Sequence, residues 1–469
     1  MENVLEEKNK IALQKERAFG PLTALQIEDA CRVNKGILQF TEAEKRTLIN
    51  NYLQTEYKTT FFIPASGSGS RMFDFLFEFL NFPDETNRGK TEKFLNNIEK
   101  FAFSQKVPHY LLRALKDDEI PLEDFIDFLL TSKGLNLGNL PKGLIPFHRI
   151  GPFVLSPFQE QIVQGIEIAN GNPTFHFTIN ENFKTEIKAA QKLVTDLISQ
   201  KVKIEYSVQN KETDAYVFDE KQKIVQLEDG TPYRRPAGHG SLIENLNAIK
   251  SDLIFIKNID NLQHFSKHHI AKDAYQLLSG LIIKVELERN ELLDHFSKEN
   301  FRLFNSKYEI LLDEEIDQLS EKELRAVIDR PIRVCGMVKN EGEPGGGPFW
   351  LKKDGITRKQ IIEKSQINTR DKQYKLLINS THFNPVIMVL RNADKDGKPF
   401  NLTSLVDESQ YFNVQKTWEG KRVFFTENPG LWNGGMYDWL TIFVEIPAEV
   451  FTPVKNILNL LSPLHQENA

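Results

Sequence analysis

Cysteine and tryptophan are scarce in this chain, with two Cys and four Trp in 469 residues. Cys31 and Cys335 are too few for a disulfide framework or a cysteine-based metal site, which points to a reducing, cytoplasmic setting. Long apolar runs are missing too, and none approaches the roughly 20 residues that span a bilayer. The opening MENVLEEKNK is acidic and has no apolar stretch, so no secretory signal is expected. An excess of positive charge is also absent. Lys plus Arg come to 59 against 65 for Asp plus Glu, a net charge of −6, which argues against a dedicated nucleic-acid binder. What the chain has in surplus is Phe, 34 residues against 11 Tyr. Its length, roughly three times the usual allowance of about 150 residues per domain, leaves room for an enzyme-sized core with large insertions.

The pattern along the chain alternates strand and helix. Residues 2–18 are charged and helix-prone, and Thr41 with Glu44 forms a capping-box pattern ahead of EKRTLINNYLQ, so residues 1–58 read as a helical lead-in. The first clear strand is Thr59–Ile63, stopped by Pro64. Further strands are expected at 174–179, 202–208, 252–257, 332–337, 386–390, 423–425 and 440–445. Helices are expected at 157–170 and 183–200, with long helical stretches at about 73–138 and 264–326. Alternation at this spacing predicts an α/β fold, a Rossmann-like mixed but mostly parallel sheet flanked by helices. One α/β domain over 59–450 would carry the two helical insertions, followed by a C-terminal helix and tail at 451–469. The glycines near 345 and the DKDGK turn at 394–398 read as flexible spots.

Chemistry concentrates after the first strand. Pro64-Ala-Ser-Gly-Ser-Gly-Ser-Arg-Met72 joins a buried strand to a helix. Small residues at Ser66, Gly67, Ser68, Gly69 and Ser70 let backbone N–H groups approach an anion, and Arg71 can fork onto phosphate oxygens. The spacing is neither that of a P-loop nor of GxGxxG. A plain strand-to-helix turn is the competing reading.

This segment resembles the signature of the sugar nucleotidyltransferases, the pyrophosphorylases that read approximately Leu-Ala-Gly-Gly-x-Gly-Thr-Arg. Gly67, Gly69 and Arg71 are in register, while Pro64, Ser66 and Ser70 depart from it. Further segments follow in that family's order. Pro141-Lys-Gly-Leu-Ile-Pro-Phe-His148 is similar to the element whose lysine, here Lys142, holds phosphate. Arg235-Pro-Ala-Gly-His-Gly-Ser241 resembles the base- and ribose-cradling loop of the UDP-sugar pyrophosphorylase branch, and assigns Gly238, His239 and Gly240 to the nucleotide. Ile254-Phe-Ile-Lys-Asn-Ile-Asp260 resembles the strand ending in the metal-binding aspartate, with Lys257 and Asn258 near the same pocket. Pro429-Gly-Leu-Trp-Asn-Gly-Gly-Met436 could give a second metal ligand, Asn433. Glu341, Glu343 and Gly346 are the candidates for sugar contact. The family usually separates the Arg71 and Lys142 elements by a short loop, whereas some seventy residues intervene here. The chain also resembles a bacterial family of unknown function that looks like a divergent branch of the same superfamily.

The resemblance implies a fold of the nucleotide-diphospho-sugar transferase type. It implies a Mg²⁺-dependent enzyme that joins a nucleoside triphosphate and a sugar 1-phosphate, giving a nucleotide sugar and pyrophosphate. Arg71 and the 66–70 backbone would hold the outer phosphates, Lys142 the α-phosphate, and Asp260 with Asn433 the metal. Two other readings stay open, a glycosyltransferase using a nucleotide sugar and a non-catalytic nucleotide-sugar-binding protein. Neither base, sugar nor oligomeric state is set by the sequence. Adjacent His268 and His269 read as surface residues, and Asp394–Gly397 as a hairpin turn rather than a calcium loop.

Overall fold

A computed structural model describes residues 2–21, 25–82, 84–342, 345–367 and 373–467. Contacts divide the chain into two compact units: residues 1–52, 209–254 and 277–446 in one, and 53–208, 255–276 and 447–469 in the other.

The second unit grows from β-branched and aromatic runs. Strands Thr59–Pro64, Thr174–Thr178 and Lys203–Ser207 pair in parallel, with Thr60 opposite Thr174 and Thr174 opposite Lys203. The end of strand Leu253–Ile256 lies beside the first of these, where the Lys257 N–H donates to the Phe62 carbonyl. Phe61 stacks between Phe175 and Phe255 at 5.0 and 4.8 Å. Helix Pro157–Ile168 packs on this layer. Proline at its first position and a Ser156–Gln159 capping box start it, because helix N-termini need both a fixed φ and a side-chain acceptor. Gly165 brings it close, since a Cβ there would meet the Phe175 ring at 2.4 Å.

The stretch at 73–138 is helical as expected, but in short pieces. The helices are Asp74–Asn81, Glu85–Asn96, His109–Lys116 and Leu122–Leu130, with 3₁₀ turns Ile98–Lys100 and Ala102–Lys106 between the second and third. Its core is phenylalanine: Phe73, Phe75, Phe94, Phe101, Phe103 and Phe125 are all buried, together with Val454, Ile457 and Leu460 from the C-terminal segment. Each buried Phe contributes roughly 2–3 kcal/mol relative to exposure, so the Phe surplus fills a core. That C-terminal segment is a series of 3₁₀ turns, Ala448–Val450, Ile457–Leu461 and Pro463–His465, where one helix was expected.

In the first unit Ile332–Lys339 pairs in parallel with Leu440–Glu445, Ile332 opposite Leu440. Gly36–Leu38 continues the parallel set on one side, and Met388–Arg391 pairs antiparallel on the other. The fold is therefore α/β with a mostly parallel sheet flanked by helices. The expected helical stretch after 264 consists of helices His268–Asp294, Lys298–Tyr308, Asp313–Ile316 and Glu321–Ile328.

Three expectations change. Residues 1–58 are not wholly helical, because Gln26–Ala30, Arg32–Val33 and Gly36–Leu38 are strands. The glycines near 345 lead into a hairpin, Gly347–Lys353 against Ile356–Ile362. Its two-residue loop is Asp354-Gly355, both at positive φ, as tight hairpin loops require. His268 is buried and its Nδ1 lies 3.2 Å from Glu167 Oε2; only His269 is exposed. The 394–398 turn is as expected, closed by the Asp394 N–H to Lys398 carbonyl bond.

Candidate functional site

In the second unit the loop after Thr59–Pro64 leaves the sheet at its carboxyl edge, the side where open α/β sheets bind ligands. Its end N–H groups are tied down. The Ala65 N–H donates to the Thr178 carbonyl, and the Gly69 N–H to the Leu140 carbonyl. Between them the N–H groups of Ser66, Gly67 and Ser68 find no acceptor among the described residues. All three residues are exposed. Consecutive free N–H groups at a strand end make an anion-binding concavity. Ser70 begins a 3₁₀ turn, Ser70–Phe73. Its N–H is bonded to Ser68 Oγ, and the two hydroxyls lie 3.0 Å apart. Arg71 is exposed and makes no ion pair among the described residues.

The two glycines of this loop differ in purpose. A Cβ on Gly67 would meet nothing within 4 Å, whereas one on Gly69 would come 2.3 Å from Ile145 Cδ1 and 2.9 Å from the Leu140 carbonyl. Gly69 is therefore demanded by the segment packed against it. That segment is the one carrying Lys142. Ser68 and Pro141 form an isolated β-bridge, and the Lys142 N–H donates to the Gly67 carbonyl at 3.1 Å. The Lys142 ammonium in turn meets Asp260 Oδ2 at 2.7 Å, both side chains less than one-fifth exposed. The unit thus brings together the loop, Lys142 and Asp260. Lys257 does not join them. It is buried, its Nζ donating to Gln164 Oε1 and lying 5.5 Å from the Tyr275 ring centre, and burial pushes its pKa down to about 7.

The first unit holds the remaining candidates. His239 stacks on Trp432 with ring centres 4.3 Å apart. Its Nδ1 accepts the Leu431 N–H at 2.9 Å, so Nε2 carries the proton and points toward Glu363 Oε1, 3.8 Å away. The flanking glycines serve packing. A Cβ on Gly238 would come 2.6 Å from Glu427 Oε2, and one on Gly240 2.0 Å from the Pro429 carbonyl. Asn433 is buried, with Nδ2 donating to the Ile361 carbonyl at 2.9 Å. Its Oδ1 has no donor among the described residues. Gly346 lies against this group, a Cβ there falling 3.6 Å from Asn433 Nδ2. Glu341 is exposed, and Glu343 lies outside the described residues. Glu363 and Trp432 were not among the sequence candidates. Glu363 had a signal in the sequence, as a carboxylate ending the β-rich run TRKQII.

Among the described residues no group of three or more His, Cys, Asp and Glu side chains is placed to hold a metal. Asp260 offers a hard carboxylate on the side of Lys142, and the bare Asn433 Oδ1 offers a hard carbonyl oxygen in the other unit. Magnesium commonly takes one or two such protein ligands and completes its shell with substrate phosphates and water. Each residue fits that chemistry in its own surroundings.

A family model matches residues 2–466. The chain belongs to the DUF4301 family, described as a domain of unknown function. This DUF4301 chain is similar to a solved structure from Entamoeba histolytica described as a UDP-N-acetylglucosamine pyrophosphorylase. The two share 15% identity at a TM-score of 0.45, over 91% of this chain and 82% of the other. It is also similar to a UDP-glucose phosphorylase from Trypanosoma brucei, at 12% identity and a TM-score of 0.46, over 100% of this chain and 76% of that one. No curated protein matches the chain. No helix among its described residues is long and apolar enough to cross a membrane.

Proposed function

We propose that this DUF4301 protein is a nucleotidyltransferase that joins a nucleoside triphosphate and a sugar 1-phosphate. The observation that carries the reading is the meeting of Lys142 and Asp260 at 2.7 Å, on a segment hydrogen-bonded to a loop with three free N–H groups. Phosphoryl-group chemistry asks a protein chiefly for positioning and charge stabilisation, and this set offers both. The free N–H groups of Ser66, Gly67 and Ser68, with Arg71, bind the outer phosphates, since those of Gly69 and Ser70 are already bonded. The Lys142 ammonium, held ready by Asp260, turns to the α-phosphate as charge builds there. The sugar phosphate oxygen forms the new bond to the α-phosphorus, the bond to the β-phosphate oxygen breaks, and pyrophosphate leaves. The attacking phosphate is already ionised, so no general base is needed. Asp260 would hold Mg²⁺, which when bound neutralises phosphate charge. The His239–Trp432 stack is the surface the first unit offers to the nucleotide. Gly346 with Glu341 and Glu343 is the part offered to the sugar.

The test is pyrophosphate release from nucleoside triphosphates across a panel of sugar 1-phosphates. Arg71→Ala and Asp260→Ala should each lower the rate by about a hundredfold or more and leave the thermal midpoint within a few degrees of wild type. A fully active Asp260→Ala protein would remove the metal role. Release of free nucleotide without pyrophosphate would instead mark a glycosyltransferase, and tight binding without turnover a binding protein.

A further inference from the structure

Lys142 and Asp260 are far apart in sequence, and the second unit contains a device that joins the segments bearing them. On one side, the Asp260 turn is stitched to the C-terminal segment. The Asp260 carbonyl accepts the Val454 N–H at 3.0 Å. Asn261 donates through Nδ2 to the Val450 carbonyl and accepts the Thr452 N–H through Oδ1 at 2.8 Å. The Thr452 hydroxyl donates to the Leu262 carbonyl at 3.2 Å, and Gln263 Nε2 donates to the Val450 carbonyl at 3.1 Å. On the other side stands His148, first residue of strand His148–Ile150, six residues beyond Lys142.

A chain of buried groups closes the gap. His465 Nε2 faces the Thr452 carbonyl at 3.1 Å. A carbonyl only accepts, so Nε2 carries the proton and Nδ1 of a neutral ring is bare. His148 Nε2, 2.9 Å from that Nδ1, must then donate, which leaves His148 Nδ1 bare in its turn. Its partner is Glu160 Oε2 on helix Pro157–Ile168, and a bare nitrogen can meet it only if the carboxyl keeps its proton. Glu160 is fully buried, and its Oε1 has no donor among the described residues, which disfavours the anion. Burial pushes its pKa up, while both imidazoles are held below their usual range, again chiefly by burial. With Glu160 protonated, each of the three contacts along Glu160–His148–His465–Thr452 pairs one donor with one acceptor.

We infer that the C-terminal segment Pro447–Gln466 is a positioning element for the Lys142–Asp260 pair, with His465 as its latch onto His148. The inference rests on reading that pair as part of the site. His465 and Thr452 are positioning residues and touch no reacting atom. Loss of the latch frees the segment from the Lys142 side, and the Asp260 turn loses the backbone and side-chain bonds the segment supplies.

Hydrogen–deuterium exchange on the full chain tests this without needing turnover. His465→Phe keeps a flat ring and removes both hydrogen bonds. His465→Gln restores one acceptor and one donor. Thr452→Val is a milder, near-isosteric cut on the Asp260 side. In His465→Phe, amides of 258–263 and 142–147 should exchange at least about tenfold faster, while helix Pro157–Ile168 keeps its protection. His465→Gln should return both segments to near the wild-type rate, and Thr452→Val should loosen 258–263 alone. Unchanged exchange at 258–263 in His465→Phe overturns the inference, as does His465→Gln behaving like His465→Phe. Pyrophosphate release by the same proteins is read separately. A wild-type chain that releases none counts against the proposed reaction, and the exchange result still decides the latch.

Discussion

Replacing Glu160 by glutamine isolates one buried proton. In the folded chain burial raises the Glu160 pKa from 4.5 to about 8. Between those values the folded state keeps a proton that the unfolded state has released. The Glu160 contribution to wild-type stability therefore falls as pH rises from 4.5, at about 1.4 kcal/mol per pH unit, and levels off above the folded value. From 4.5 to about 8 the loss accumulates to about 5 kcal/mol. In Glu160→Gln the side-chain amide offers His148 Nδ1 an N–H where the protonated acid offers O–H, so the hydrogen-bond chain survives and cannot ionise. The two proteins should unfold at similar urea concentrations near pH 5, and the variant should pull ahead steadily toward pH 8. His148, His465 and Lys257 also titrate differently in the folded state, but they are present in both proteins and drop out of the difference. Urea midpoints at half-unit pH steps from about 5 to about 8.5 provide the measurement. Parallel curves, or a gap that narrows toward pH 8, would refute the neutral Glu160–His148 pair.

Two further outcomes follow from packing and burial. Gly69→Ala forces a methyl group onto the Leu140 carbonyl and Ile145, and should cost about 1–3 kcal/mol of unfolding free energy; a neutral substitution would show that the loop is free to shift. Lys257 titrates in the opposite sense to Glu160. Its folded pKa is about 7 against 10.5, so wild-type stability rises with pH between those values. Lys257→Met should therefore be relatively most stable at or below pH 7 and lose that advantage by pH 10, read again from urea midpoints.

The parallel strands were legible because local chemistry dictates them, whereas the pairing of the loop with Lys142 was implied only by the motif resemblance. Short β-branched runs such as Thr59–Pro64, stopped by proline and followed by small residues, have few other uses. The antiparallel hairpins were legible in principle, since Asp354-Gly355 and Glu419-Gly420 are two-residue loops at positive φ. Neither was among the turns read from the sequence, which singled out the glycines near 345 and the 394–398 segment. Glu160, His148 and His465 carry no local signal. Their significance arises only when residues separated by 12 and 317 positions meet, which periodicity cannot report. Gly238 and Gly240 show the reverse case. A glycine pattern that suits a nucleotide also suits close packing on the 427–430 segment, and the motif alone does not separate the two.

The bridge between Ser68 and Pro141 has a consequence for how this chain came to be so long. The excursion between them leaves and re-enters at neighbouring points held by two backbone hydrogen bonds. A loop whose ends are already fastened together can grow at little entropic cost to the rest of the molecule, since closure cost rises only with the logarithm of length. The 66–70 loop and Lys142 would keep their register whether ten residues or seventy ran between them. The phenylalanine-rich insert shares its core with Val454, Ile457 and Leu460, so shortening it would strip the cover from the C-terminal segment. Length at this position is free to vary only if the tail of the chain varies with it.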